Sequence, residues 1–352
     1  MRIVVATIVH DAEDARILHR QIGALLAAGD EVVYVAPVEP GVDLRRPGLR
    51  VRPVRRARGR RRLSALIEVR RVLAEESRNA DLTVVHDPEM TLLDRWIAGP
   101  RIWDVHEDLP AQISDKAWIP KVAHGAVRAG ARLLERRAGR RFSLTLAEPS
   151  YAERLGNHPV VRNTPIFPDQ VLPPGTDRVV HLGRLSKGRG AEVLLETARL
   201  LPKGIRMDLF GPADEDVADL LAQASRSVAV HGAVSNPMAL AALSGAMAGL
   251  ALLRDLPNYR HSVPTKVLEY MAHGVPIVAT PLPEVRRIVE RYGVGFLVPF
   301  DDPSAVVDAV AELEDEEVRA RCAANGRRLV AAEFDWRFDA AVMREAYLMA
   351  VT

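Results

Sequence analysis

The 352-residue chain has one cysteine, Cys322, which excludes a disulfide framework and a cysteine-based zinc site. It stands between Arg321 and Ala323 in a helical stretch and reads as incidental. Lysine is almost missing as well: five of the 48 basic residues are Lys, the bias of a GC-rich genome rather than of a mechanism. No charge of one sign dominates, since 46 acidic residues leave a net +2, and a bulk nucleic-acid binder finds no support there. Long apolar runs are absent. Arg2-Ile3-Val4-Val5-Ala6-Thr7-Ile8-Val9 meets His10-Asp11 too early for a signal-peptide core with a cleavage site. The apolar run from Pro237 to Leu253 falls short of the ~20 residues that span a bilayer, and Ser244, Gly245 and Gly249 interrupt it. A helix followed by a buried strand accounts for that run. The expectation is a soluble, cytoplasmic protein.

What is present is the composition of an ordinary globular protein, in a length that suits two domains. Short β-branched runs alternate with helical patterns. In the first half the strands are expected at Ile3–Ile8, Glu31–Ala36, Leu82–His86, Ile102–His106 and Leu144–Ala147. Ile17, Leu18, Ile22, Leu25 and Leu26 share a face of the first helix, which Gly29 ends as a left-handed cap. The second half repeats the scheme with Val179–Leu182, Met207–Phe210, Val228–His231, Leu250–Leu253, Pro276–Ala279 and Phe296–Val298. Consecutive apolar positions with helices between them indicate parallel sheets covered on both faces. The fold class is therefore α/β, with two doubly wound, Rossmann-like domains facing each other across a cleft. The boundaries expected are 1–163 for the amino-terminal domain, 164–177 for a Pro- and Gly-rich linker, 178–333 for the carboxyl-terminal domain and 334–352 for a terminal helix.

Two clusters could carry chemistry. In Val180-His181-Leu182-Gly183-Arg184-Leu185-Ser186-Lys187-Gly188-Arg189-Gly190 a strand runs into a glycine-punctuated basic loop and then a helix, Ala191–Leu200. Backbone amides and the helix dipole suit a diphosphate there, with Arg184 and Arg189 adding charge-assisted bonds. The spacing is neither a dinucleotide-binding nor a Walker motif, so by itself the loop also reads as a solvated basic turn. The second cluster runs from Tyr259 to Pro276. Pro264 fits a first helical position and Gly274 a C-cap, so the amides near Thr265 and Lys266 form another anion site. Glu269, one turn further in, either accepts two sugar hydroxyls or is a surface helix residue.

The pairing of Gly183-Arg184-Leu185-(x)3-Arg189-Gly190 with Pro264-Thr265-Lys266-Val267-Leu268-Glu269-Tyr270-Met271-Ala272-His273-Gly274-Val275-Pro276 resembles the retaining glycosyltransferases of family 4, which have the GT-B fold. Asp14-Ala15-Arg16-Ile17, His86-Asp87-Pro88-Glu89, Asp104-Val105-His106-Glu107-Asp108, Tyr292-Gly293-Val294-Gly295-Phe296-Leu297-Val298 and Phe334-Asp335-Trp336 extend the likeness along the chain. The resemblance implies an amino-terminal domain for the acceptor and a carboxyl-terminal domain for a nucleotide-sugar donor, most commonly a UDP-sugar. The terminal helix would cross back to the amino-terminal domain. It implies that Arg184 and Arg189 hold the donor diphosphate as the main catalytic contributors, with Arg189 in the place of a usual Lys. Gly183, Thr265 and Lys266 would line the phosphate and Glu269 would bind the ribose. His106 would stand beside the transferred sugar, and Asp14, Arg16 and Glu107 on the acceptor side. Two departures stand out: on the donor-binding side His261 replaces a Glu that commonly contacts the sugar in the family, and His10-Asp11-Ala12-Glu13-Asp14 replaces the glycine pair of the first strand–helix loop.

Transfer with retention in this fold is thought to use the leaving diphosphate to deprotonate the incoming hydroxyl, without a protein nucleophile. No metal and no cofactor are expected, because Asp301-Asp302 and Asp214-Glu215-Asp216 lack the spacing of a dedicated site. His106 also reads as a buried structural histidine flanked by Asp104 and Glu107, and His86 with Asp87 reads as structural. The acceptor class spans glycans, lipids and small natural products; no nucleic acid is expected. Between Arg45 and Arg62 ten of eighteen residues are Arg. That run reads as a solvated, mobile loop, or with Arg128, Arg132, Arg136, Arg137, Arg140 and Arg141 as a patch for an anionic acceptor or the inner face of an acidic membrane. The rival functions are a nucleotide-sugar epimerase of the same fold and a non-catalytic sugar-nucleotide binding protein.

Overall fold

The computed structural model describes residues 1–106, 124–225, 227–260 and 263–352; Glu107 and His261 lie outside them. The chain divides into two compact units, one of Met1–Asn163 with Arg337–Thr352 and one of Thr164–Trp336.

The first unit holds strands β1 (Arg2–Ala6), β2 (Glu31–Ala36), β3 (Leu49–Pro53), β4 (Leu82–Val85), β5 (Arg101–Val105) and β6 (Ser143–Leu146). They form one parallel sheet in the order β3-β2-β1-β4-β5-β6. The second unit holds β7 (Arg178–Leu182), β8 (Arg206–Phe210), β9 (Val228–Gly232), β10 (Ala248–Ala251), β11 (Ile277–Ala279) and β12 (Gly295–Leu297). Its sheet, also parallel, runs β12-β11-β10-β7-β8-β9. Read from the other edge, this is the same winding. The central strands are apolar at successive positions because both faces are covered: Ile3, Val4, Val5 and Ala6 of β1 are buried, as are all four residues of β10.

The first helix winds differently from an ordinary α-helix. Ala15–Ile22 makes wider, π-type turns before Gly23–Ala27 tightens. Ile17, Leu18, Ile22 and Leu25 face the core, whereas Leu26 is only partly buried. Gly29 is left-handed, with φ of 80°.

Part of the Arg-rich run is a strand rather than loop. Leu49–Pro53 is an edge strand, with Val33 opposite Arg50 and Tyr34 opposite Val51. Its arginines are matched by acids nearby. Arg50 and Arg52 converge on the buried Glu76 at the end of the helix Arg62–Glu76, and Arg52 also reaches Glu75 at 3.1 Å. Arg55 pairs with Glu68, Arg56 with Asp11 and Glu39, and Arg62 with Glu89. Much of the charge that suggested an anionic partner is thus used within the unit.

The helix Trp336–Val351 completes the first unit. Asp339 accepts the Arg162 amide at 2.9 Å and its guanidinium at 3.1 and 3.2 Å. Arg344 bonds Asp30 at 2.6 Å. No described helix is long and apolar enough to cross a membrane.

Candidate functional site

In both sheets the winding reverses beside the first strand, between β1 and β4 and between β7 and β10. Ligands of doubly wound sheets bind beyond the carboxyl ends of the strands at that point. Each unit gathers its polar residues there.

In the second unit β7 ends at Leu182 and passes into Gly183, whose φ of 108° a side chain would strain. A Cβ at Gly183 would sit 3.4 Å from Arg189 Nη1 and 3.5 Å from Lys266 Nζ. The missing side chain therefore leaves two cationic heads around one stretch of backbone. Gly190, with φ of 78°, lets the loop close, since a Cβ there would sit 2.1 Å from the Leu252 carbonyl oxygen.

Lys266 lies in the first turn of the helix Thr265–Ala272 and is buried. Its ammonium donates to Nε2 of the fully buried His181 at 3.1 Å, while His181 Nδ1 donates to the Leu250 carbonyl at 3.1 Å. That network assigns a neutral imidazole with hydrogen on Nδ1. Burial pushes His181 far down, helped by the charges of Lys266 and Arg189. Burial also pushes Lys266 well below the usual lysine range; the Arg189 charge adds to this and Glu269 opposes it. An anion beside Gly183 would relieve both penalties.

Thr265 is exposed at the helix start, and Glu269 is buried one turn further in. Glu269 is thus no surface residue. Arg184 points elsewhere: it is half exposed and paired with Asp214. The sequence missed His181, which lies 85 residues from Lys266; its place in an apolar strand was the only signal. Asp302 caps the helix Pro303–Glu312 and Asp301 pairs with Arg254.

In the first unit His10, His86 and His106 meet at the ends of β1, β4 and β5. Asp104 is fully buried and accepts the Arg16 guanidinium at 2.8 and 2.9 Å, Gln21 Nε2 at 3.0 Å and the Thr145 hydroxyl at 2.8 Å. Burial works against its charge, but Arg16 holds the carboxyl well below the usual range, with His106 and His86 adding. Arg16 also bonds the Val161 carbonyl at 2.8 Å. The guanidinium is turned inward rather than toward an acceptor, because a buried carboxylate needs a charged partner. Asp14 caps the first helix by accepting the amides of Arg16 and Ile17 at 2.9 and 3.0 Å. Burial opposes its ionisation, yet hydrogen bonding and charge from His10 bring its pKa down.

His106 is held at Nδ1 by the Asp104 carbonyl at 3.1 Å, with the Asp104 carboxylate 3.4 Å away. Its Nε2 is 3.0 Å from His10 Nε2. Asp104 thus orients His106. His86 is buried, its Nδ1 3.3 Å from Asp104 Oδ2, and burial pushes it down to about 4. Asp87 accepts from the Thr7 hydroxyl and the amides of Ile8 and Val9, fixing the turn after β1; the structural reading of His86 and Asp87 fits this geometry. His86, Asp104 and His106 offer three metal-type ligand atoms within 4.8 Å of one another. The Arg16 fork already neutralises their carboxylate, so the donor set is poorly suited to a cation. His10 was overlooked as a partner of His106, 96 residues away.

Residues 176–316 match the family described as glycosyl transferases group 1. A D-inositol 3-phosphate glycosyltransferase of Xylanimonas cellulosilytica is 28% identical over 183 residues, 51% of this chain and 44% of that protein. An alpha-D-kanosaminyltransferase of Streptomyces kanamyceticus is 30% identical over 164 residues, 44% of this chain and 41% of that protein. The chain spans less than half the length of these curated relatives. Among solved structures, sucrose-phosphate synthase from Thermosynechococcus elongatus aligns over 100% of both chains at 19% identity, with a TM-score of 0.74. HepE of Anabaena, in complex with UDP and glucose, aligns over 98% of both chains at 15% identity, with a TM-score of 0.69. The likeness at these identities is one of fold: the two-domain α/β architecture is GT-B.

Proposed function

We propose that the chain transfers a sugar from a nucleotide-sugar donor to an acceptor hydroxyl, with retention of configuration, a reading supported by the match of residues 176–316 to the glycosyl transferases of group 1. The observation that carries this reading is the convergence of Arg189 and Lys266 on the backbone at Gly183. That arrangement fits a diphosphate, with Glu269 on the same helix as Lys266 to take the ribose hydroxyls. UDP is the first nucleotide to test, since HepE is a fold neighbour solved in complex with UDP. Relatives named for inositol 3-phosphate, phosphatidyl-myo-inositol and kanosaminyl transfer make a polyol, lipid or natural-product acceptor the class to screen.

Bond breaking leaves negative charge on the β-phosphate, and fixed donors aimed at it lower the barrier by about 2.7–4 kcal/mol each. In this proposal Arg189 and Lys266 stabilise that charge directly. Arg184 joins them by leaving Asp214 when an anion competes for it. No metal is needed where two side-chain cations already meet the diphosphate, and a chelator is expected to leave transfer unchanged.

Calorimetry with UDP, GDP, ADP and dTDP tests the donor site. One nucleotide is expected to bind, and to lose most of its affinity in Glu269→Ala and in Arg189→Ala. Binding that survives both substitutions overturns the assignment. A product assay with the matching nucleotide sugar then separates transfer from epimerisation, which would alter the donor with no acceptor added.

A further inference from the structure

His10 stands in the loop after β1, and its ring lies 4.7 Å from that of His106, centroid to centroid. Two imidazole nitrogens 3.0 Å apart need a proton between them, since two lone pairs at that distance repel. Which ring donates follows from the far sides of the pair. His106 Nδ1 faces two acceptors, the carbonyl and the carboxylate of Asp104, at 3.1 and 3.4 Å. Hydrogen therefore sits on Nδ1, and Nε2 of the neutral His106 ring is the acceptor. His10 donates through its own Nε2. Its Nδ1 in turn faces Asp14 Oδ2 at 3.6 Å, where a bare lone pair would be repelled and an N–H attracted. Asp87 Oδ1 lies 3.6 Å from His10 Nε2.

Counting hydrogens along this line gives three for two rings, one more than two neutral imidazoles carry. The surroundings accommodate that charge. Among the described residues, Asp14 from the first helix start, Asp87 from the turn after β4 and Asp104 from β5 face the pair, with the Arg16 guanidinium on Asp104; His86 packs beside His106, ring centres 5.5 Å apart. Tyr347, on the terminal helix, adds no charge here because burial pushes its phenol far up.

We infer that His10 is a positioning residue for His106: the two rings share one proton across the Nε2–Nε2 contact and act as a single imidazolium unit, anchored by Asp104 at one end and Asp14 at the other. This rests on the reading of the chain as a glycosyltransferase with His106 beside the transferred sugar. The pair sits at the rim, its side chains 12% and 19% exposed, open to a ligand. It fixes the plane and tautomer of His106 and sets a positive charge next to oxygens that become more negative during transfer.

Nitrogen-15 NMR of the imidazoles in the full chain tests the shared proton without any activity. A scalar coupling between His10 Nε2 and His106 Nε2 is expected, with His106 protonated at Nδ1. No coupling, together with a separate proton on His106 Nε2, overturns the inference. In the transfer assay His10→Ala is expected to lower kcat about tenfold, the scale of one lost charge-assisted hydrogen bond, with the donor KM unchanged. His10→Gln, which keeps an N–H toward His106 but carries no charge, is expected to recover only part of that rate at an unchanged Tm. Coupling with a wild-type kcat in His10→Ala overturns the positioning role. Coupling in a chain that transfers no sugar from any nucleotide supports the shared proton and counts against the glycosyltransferase reading instead.

Discussion

Lys266 is a buried amine beside an arginine, an arrangement that destabilises the fold and makes sense only with a ligand in view. The unfolded chain keeps its lysine protonated up to about 10.5, whereas burial and Arg189 make the folded chain release that proton earlier. Between the two values the unfolded state binds more protons, so this residue's contribution to stability rises with pH across that window. A diphosphate against Nζ restores the charge. Nucleotide binding is therefore expected to take up a proton in the window, and affinity to fall as pH rises through it. Titration calorimetry in two buffers of different ionisation heat reads the uptake directly. Lys266→Met is expected to abolish it, to weaken nucleotide binding tenfold or more and to leave Tm equal or higher. Uptake that persists in the variant would place the proton on another group.

At the level of elements, β3 shows how a charge run can hide a strand. Leu49-Arg50-Val51-Arg52-Pro53 alternates apolar and charged residues between Gly48 and Pro53, which is the pattern of a half-buried edge strand. The density of arginine made it read as loop. Edge strands carry such charges to discourage pairing with another chain, and here they also find acids on the helix Arg62–Glu76. The two acids differ in burial: Glu76 is 3% exposed and Glu75 is 65% exposed. Glu76→Ala is expected to destabilise the protein by about 1–3 kcal/mol, because Arg2, Arg50 and Arg52 lose a desolvated partner. Glu75→Ala is expected to cost under about 1 kcal/mol. Urea unfolding of the two variants compares them, and equal losses would refute the role given to burial. The central strands were legible because being covered on both faces leaves an unbroken apolar signature. So were the glycine loop and the Pro264–Gly274 helix, whose residues are neighbours along the chain. His181 with Lys266 and His10 with His106 were not, since each pair joins residues 85 or more apart and only the order of the strands brings them together.

At the scale of the whole chain, both halves wind in the same order, and each gathers its charged residues where that order reverses. The first unit is also discontinuous: the chain leaves it after Asn163 and returns at Arg337. Its integrity therefore depends on a segment that follows the whole second unit in the chain. Asp339 is 2% exposed and takes three hydrogen bonds from Arg162 at the point where the chain departs. From the same helix Tyr347 is buried near Arg16 and Asp104, beneath the histidine cluster. Removing the Asp339 carboxylate leaves a backbone amide and a half-buried guanidinium without it, a loss of about 2–4 kcal/mol. If the terminal helix is a working part of the first unit, that loss falls on one unit alone. Hydrogen exchange in Asp339→Ala is then expected to quicken in β1, β5 and the helix Trp336–Val351 while β7 and β10 keep their wild-type protection. Nucleotide binding, which rests on Gly183, Arg189 and Lys266, would survive as sugar transfer falls with the disturbed His106. Uniform loss of protection across both sheets would mean instead that the units unfold as one, and that the returning helix contributes to the stability of the whole rather than of its own half.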